Sequence, residues 1–343
     1  MKTLQNVLYL QIQGAYARLE GETIKIEFEK SLILQVPLHH LEGIVLFGNV
    51  LVSPFLIHRC ASDGRDIVWL SEHGRFQGRL SSATSGNVLL RQAQHQAASN
   101  PDTQIQIVRR LIAGKFQNSR NFLLRLARES QDPEDRKFLQ QAAKTHEQVI
   151  QSLPNITSID ALRGQEGFAA RCYFEAFDRG IRRDRDLFQF EARSRRPPLN
   201  PMNSLLSLTY TLLTREYVAA CESVGLDPQI GFLHALRPGR PALALDLMEE
   251  LRSIFADRFV FKMINLGQIK ADDFIERPGG AIYLNDSARK IFLTAYEKRK
   301  HEEITHPFLQ KSVPWELVPH IQARLLARYL RGDLPHYPPF VPR

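Results

Sequence analysis

Hydrophobic periodicity changes once along this chain, and that change limits the folds open to it. Up to about residue 84 the apolar residues fall in short runs: VLYLQI, AYARLE, TIKIEFE, SLILQVP, IVLFGNVLV, DIVWLS and RFQGRLSS. Runs of this length, separated by turns such as Gly21-Glu22, read as strands, with Ser53 to Ser62 a short helix among them. From Pro101 onward the spacing becomes helical. Val108, Leu111, Ile112, Phe116, Phe122, Leu123 and Leu126 predict one long amphipathic helix, with Arg109, Arg110, Lys115, Arg120 and Arg125 assigned to its other side. A second helix is expected over Pro133 to Leu153. The chain therefore reads as an α+β protein of two domains. Residues 1–84 form a small β domain, 85–100 a linker rich in Ser, Asn, Gln and Ala, and 101–343 a large all-α domain. With 343 residues and 43% hydrophobic content, both can bury a core.

Chemistry-bearing side chains concentrate between Ile159 and Arg252. On a helix, Leu162, Ala169, Ala170, Tyr173 and Phe177 share a face that also carries Glu166. A carboxylate there needs a counter-charge or a bound cation. Gly164 and Gly167 flank it at a cost of roughly 1 kcal/mol each in a helix interior, which suggests close approach of a backbone or a ligand. His234 follows the turn-like stretch from Gly225 to Pro228. The next helix, opening at Pro241, sets Asp246 and Glu249 beside a stripe of Leu243, Leu247, Leu251 and Ile254. Each segment alone has a plain structural reading: an ion-paired Glu, a structural His, a solvated acidic face. Together they offer carboxylate and imidazole donors without cysteine, a set suited to a hard divalent cation.

Between these segments runs Arg193-Ser194-Arg195-Arg196-Pro197-Pro198, a basic loop before a helix capped by Asn200. That helix is apolar on nearly all sides, hence central, so Arg193, Arg195 and Arg196 enter a buried region near the proposed site. Guanidinium groups grip phosphate through paired hydrogen bonds. The formal net charge of +8 also favours a polyanionic partner.

The segments RGQEG, RSRRPPLNPMNSLLSLTY, GLDPQIGFLH and RPALALDLMEELR, in this order and spacing, resemble those of the CRISPR-associated endonuclease/integrase family Cas1. The resemblance implies a Mg²⁺ or Mn²⁺ site made by Glu166, His234 and Glu249, with Asp246 as an acidic helper. It implies a β-sandwich for residues 1–84 that carries homodimer contacts. It further implies double-stranded DNA with 3′ ends as substrate and a heterohexamer with the small companion protein Cas2. The implied activity is insertion of short foreign DNA fragments as new spacers by 3′-hydroxyl transesterification. A non-catalytic DNA scaffold and a metal-dependent phosphoesterase remain open on residues alone.

Several classes are excluded. No span of about twenty apolar residues could cross a membrane, and Gln5, Gln11 and Gln13 interrupt any signal-like stretch. Cys60, Cys172 and Cys221 form no pair motif and fit a reduced cytoplasm, which the family resemblance implies is prokaryotic. No nucleotide-binding fingerprint is present. The last segment, GDLPHYPPFVPR, cannot continue a helix, so it is a tail that either docks on a partner or stays disordered.

Overall fold

The computed structural model describes residues 6–80, 88–190, 192–194 and 197–342. They belong to two compact units, Met1–Ser85 and Gly86–Arg343. The first unit holds strands β1 (Asn6–Leu10), β2 (Tyr16–Glu20), β3 (Thr23–Phe28), β4 (Ser31–Pro37), β5 (Leu41–Phe47), β6 (Leu51–Val52), β7 (Asp66–Leu70) and β8 (Phe76–Arg79). They make two four-stranded sheets, ordered β1-β5-β7-β8 and β4-β3-β2-β6. In the first, β1, β5 and β7 run parallel and β8 antiparallel. The central β5 is buried along most of its length, as a parallel strand covered on both faces must be. Leu10, Ile44 and Ile67 from this sheet share one core with Ala17, Ile24 and Ile26 from the other. Helix α1 (Pro54–Asp63) adds Leu56 and Cys60 to that core. Ser53 caps it by accepting the Leu56 N–H, and Gly64 closes it in the left-handed region at φ 70°.

The second unit opens with α2 (Val88–Ser99), which corrects the expected linker over 85–100. Leu90, Gln94 and Ala97 recur at helical spacing and bury one face. The middle member is a glutamine, which hides the stripe from a hydrophobicity reading. Its buried amide donates to the Asp227 and Ile230 carbonyls and accepts the Asp227 N–H, so it replaces a turn's own hydrogen bonds. Then come α3 (Pro101–Glu129), α4 (Pro133–Ser152), α5 (Ile159–Phe177), the one-turn α6 (Arg185–Phe188) and α7 (Pro201–Val224). Asn200 caps α7 and Gly225, at φ 91°, ends it. After α8 (Ala242–Leu251) the helix widens into a π-turn over Arg252–Asp257 and resumes as α9 (Arg258–Asn265). Helix α3 packs against α4, α5 and α8, and α7 against α8.

The unit is not all-α. Strands β9 (Phe274–Arg277) and β10 (Ala281–Leu284) form one hairpin, and β11 (Glu303–His306) and β12 (Lys311–Pro314) another. Gly279 and Gly280 supply the positive φ that the first turn requires. Helices α10 (Asp286–His301) and α11 (Val318–Leu330) complete the unit. The proline-rich last segment is neither disordered nor reserved for a partner: Tyr337 and Phe340 are buried within their own chain. Cys60, Cys172 and Cys221 are free. Among the described residues no helix is long and apolar enough to cross a membrane.

Candidate metal centre

Glu166, His234, Asp246 and Glu249 come together at the junction of α3, α5 and α8, around a residue assigned from sequence to the solvent side. Lys115 of α3 is buried, and its ammonium bonds Glu166 and contacts Glu249 Oε2 at 2.8 Å. Burial alone would lower the Lys115 pKa, but the Glu249 and Glu166 carboxylates outweigh it and the pKa is raised. The signal was in the spacing: Lys115 lies four residues after Leu111 and seven before Phe122, in the middle of the buried stripe. The counter-charge that Glu166 needed is thus supplied by a lysine of another helix. Glu166 itself is half-buried at the stripe's rim, with a side chain 28% exposed. Gly164 and Gly167 are not explained by close approach, since a Cβ on either would meet nothing within 4 Å.

The His234 loop is built around Asp246. This fully buried carboxylate accepts the backbone N–H groups of Phe232 (2.6 Å), Leu233 (2.9 Å) and His234 (2.9 Å). It also binds His234 Nδ1 at 2.6 Å. A carboxylate acceptor fixes the proton on Nδ1 and leaves Nε2 with its lone pair, 4.0 Å from Glu249 Oε1. Gly231 permits the wrap, because a Cβ there would lie 2.7 Å from Asp246 Oδ2 and from the Ala242 backbone. Two further helices hold the loop: Gln104 of α3 donates to the Phe232 carbonyl, and Arg163 of α5 to that of Leu233.

Glu249 is buried one turn beyond Asp246 and has two cations beside it. Arg252 donates to Oε1 at 2.7 Å while Lys115 faces Oε2. Burial would raise its pKa, but the Arg252 guanidinium and the Lys115 ammonium hold the carboxyl well below the usual carboxylate range. Oε2 has no hydrogen bond of good geometry despite the short Lys115 contact, so an acceptor lone pair is left over. Among the described residues no three carboxylate or imidazole groups already surround one point as a metal cluster, and Lys115 lies between the two glutamates. The donor set nevertheless fits a hard divalent cation in kind: two carboxylates, one oriented imidazole nitrogen and an under-used buried oxygen.

A cleft of about 170 Å³ adjoins the cluster, lined by Lys115, Glu166, Tyr173, Tyr210, Arg252 and Asp257 among others. The π-turn sets Asp257 at its base, where it accepts the hydroxyls of Tyr173 (2.7 Å) and Tyr210 (2.5 Å). Arg252 lies 4.4 Å from the Tyr210 ring centre. Arg193 lies 5.4 Å from the same ring and donates to Asn203 and Ser207 of α7, so it ties the basic loop to the central helix. Arg195 and Arg196 lie outside the described residues.

Burial pushes Asp257 up to about 6, against the lowering effect of Tyr210, Tyr173, Arg252 and Arg193. A carboxyl whose pKa is raised on folding favours the native state below its unfolded pKa, and that contribution is lost as pH rises through 6. Asp257→Asn does not titrate. Its stability relative to the parent should therefore grow between pH 4 and pH 8, by on the order of 2 kcal/mol. Urea unfolding of both proteins at the two pH values measures this.

Motif order, fold and site geometry lead to a known group. The sequence model described as "CRISPR associated protein Cas1" matches residues 8–298. The chain belongs to the Cas1 family. It is 52% identical to the CRISPR-associated endonuclease Cas1 1 of Moorella thermoacetica, with each chain covered completely. It is 46% identical to the protein of the same description from Chlorobaculum tepidum, with 99% of each covered. A solved Cas1 structure from Thermotoga maritima shares the fold with a TM-score of 0.81 at 24% identity, covering 95% of this chain and 97% of that one. A casposase bound to integration product shares it as well, with a TM-score of 0.82 at 22% identity over 96% and 92% of the two chains.

Proposed function

We propose that this protein is a metal-dependent DNA endonuclease and integrase that inserts short DNA fragments into a CRISPR array as new spacers. The observation that carries the metal-centre reading is the Asp246–His234 pair, which aims a deprotonated imidazole nitrogen at Glu249 beside a cationic cleft. Glu166, His234 Nε2 and Glu249 would hold a Mg²⁺ or Mn²⁺ ion. Bound there, the ion supplies Lewis-acid polarisation of the scissile phosphate and lowers the pKa of the attacking hydroxyl.

The remaining work falls to the chain itself. Asp246 orients His234 and holds its tautomer; it is a positioning residue. Arg252 keeps Glu249 ionised and fixes one of its oxygens. Lys115 lies between Glu166 and Glu249 and lines the cleft, and its ammonium would hold a non-bridging phosphate oxygen and offset charge in the transition state. Arg193 anchors the basic loop that would receive the DNA backbone, a role that Arg195 and Arg196 share on the sequence reading. No side-chain nucleophile is required, because a 3′-hydroxyl attacks during integration and water during cleavage.

The homodimer and the Cas2 heterohexamer enter with the same reading. Support for a second copy lies on β4, an edge strand of its sheet among the described residues, where Leu32, Ile33 and Leu34 are 44–46% exposed. The reaction is tested with a DNA fragment ending in a 3′-hydroxyl, a matched fragment ending in a 2′,3′-dideoxynucleotide, and a target duplex carrying a repeat. Covalent joining of the first and not the second is expected. Equal products from both would exclude 3′-hydroxyl transesterification.

A further inference from the structure

The residues next to the two that meet at the centre are occupied by the proline-rich last segment. Glu250 follows Glu249 on α8 and is fully buried on the neighbouring face of the helix. Its Oε2 accepts the Phe340 N–H (3.0 Å), the Tyr337 hydroxyl (3.2 Å) and the Gln322 side-chain amide (2.8 Å). Asn118 of α3, also fully buried, donates to the Glu250 carbonyl (2.8 Å) and the Phe340 carbonyl (2.7 Å). Gly114 precedes Lys115, and a Cβ there would stand 2.8 Å from Pro339 Cβ. The Phe340 ring lies between His306 and Trp315, at 5.2 and 5.8 Å from their centres.

These contacts converge on one mechanical point. Helix α3 presents Lys115 to the centre and Gly114 and Asn118 to the segment. Helix α8 presents Glu249 to the centre and Glu250 to the segment. Consecutive helical residues project about 100° apart, so one face of each helix can do chemistry while the adjacent face is clasped. We propose that Tyr337 to Phe340 act as a clasp that sets α8 against α3 and so positions Glu249 relative to Lys115, with Glu250 and Asn118 as the positioning residues that grip it. This deepens the proposed function and rests on Glu249 acting at the centre. A small displacement of reacting groups is costly: about 1 Å corresponds to roughly 100-fold in rate.

The test compares the parent with Glu250→Ala, Glu250→Gln, Phe340→Ala and a chain lacking 333–343, reading amide hydrogen exchange, DNA affinity and single-turnover joining. In Glu250→Ala and Phe340→Ala, exchange should quicken over 112–119 and 246–251 while the rest of the second unit stays protected. Joining should fall about 100-fold, with DNA affinity within about threefold of the parent if phosphate contacts are untouched. Glu250→Gln keeps an acceptor oxygen in place and should restore both exchange and rate. The shortened chain should regain rate when a peptide of residues 333–342 is added. Unchanged exchange in the alanine variants, or faster exchange at an unchanged rate, overturns the clasp. If the shortened chain does not fold, the point variants decide. If the parent joins no DNA, the reading of the centre fails while exchange still decides whether the segment clasps the helices.

Discussion

Glu249→Gln should lower DNA joining by at least about 1,000-fold, the loss expected when one charged group of a preorganised site is removed. It should also remove measurable Mn²⁺ binding, because a neutral amide is a poor ligand for a hard cation. The variant loses the buried anion that faces both Arg252 and Lys115, so Arg252 loses its carboxylate partner and Lys115 keeps Glu166 alone. Asp246→Asn should differ in kind. Asn retains one acceptor oxygen for the loop amides, but its NH₂ replaces the second, which now serves the backbone or the imidazole. His234 then loses its fixed tautomer and orientation. Joining should fall on the order of 10–100-fold, with a smaller loss of Mn²⁺ affinity than in Glu249→Gln. Calorimetric Mn²⁺ titrations beside joining assays separate the two. Binding retained in Glu249→Gln and lost in Asp246→Asn would exchange their roles.

Lys115→Met should have the second largest effect, with an opposite sign in its response to metal. Removing one partner of a buried ion pair costs about 3 kcal/mol, because the other is left without its counter-charge. Arg252 still faces Glu249, so the loss should lie at the lower end of that class. A divalent cation between Glu166 and Glu249 would replace the missing charge. Mn²⁺ should therefore stabilise the variant more than the parent, in which Lys115 must be displaced first. Thermal unfolding with and without 1 mM Mn²⁺ reads this, that concentration being roughly the range in which such sites fill. Joining should nevertheless fall, since the phosphate-holding ammonium is gone. Metal that stabilises the parent more than the variant would show Lys115 to be structural alone.

Sequence singled out the four side chains that gather at the junction of α3, α5 and α8 and missed their counter-charges, for a physical reason. Glu166, His234, Asp246 and Glu249 lie in segments whose order and spacing are themselves distinctive. Lys115 lies in a helix of repeated basic residues, where one charged side chain looks like the next unless its angle on the helix is compared with Leu111 and Phe122. Asp257 reaches the cleft only because a π-turn shifts the helix register after Leu251, and a regular 3.6-residue period does not foretell that. The helix over 88–99 is hidden by a buried glutamine, and the clasp by four prolines in twelve residues, which rule out a helix and leave no periodicity to read. In the clasp the prolines have no N–H groups to satisfy, while Tyr337 and the Phe340 backbone make the hydrogen bonds. The change from strands to helices near residue 84 needed none of this, because hydrophobic periodicity alone carries it.

The central claim is that Glu166, His234 and Glu249 hold a catalytic divalent cation. It is tested most directly by stripping the protein with EDTA, dialysing the chelator away and following DNA joining as Mg²⁺ or Mn²⁺ is returned. The account predicts no joining in the stripped protein and full recovery with either cation, with a single saturable binding event in calorimetry that is absent from Glu166→Ala, His234→Ala and Glu249→Gln. Undiminished joining in the presence of EDTA, or metal binding unchanged in all three variants, would contradict it.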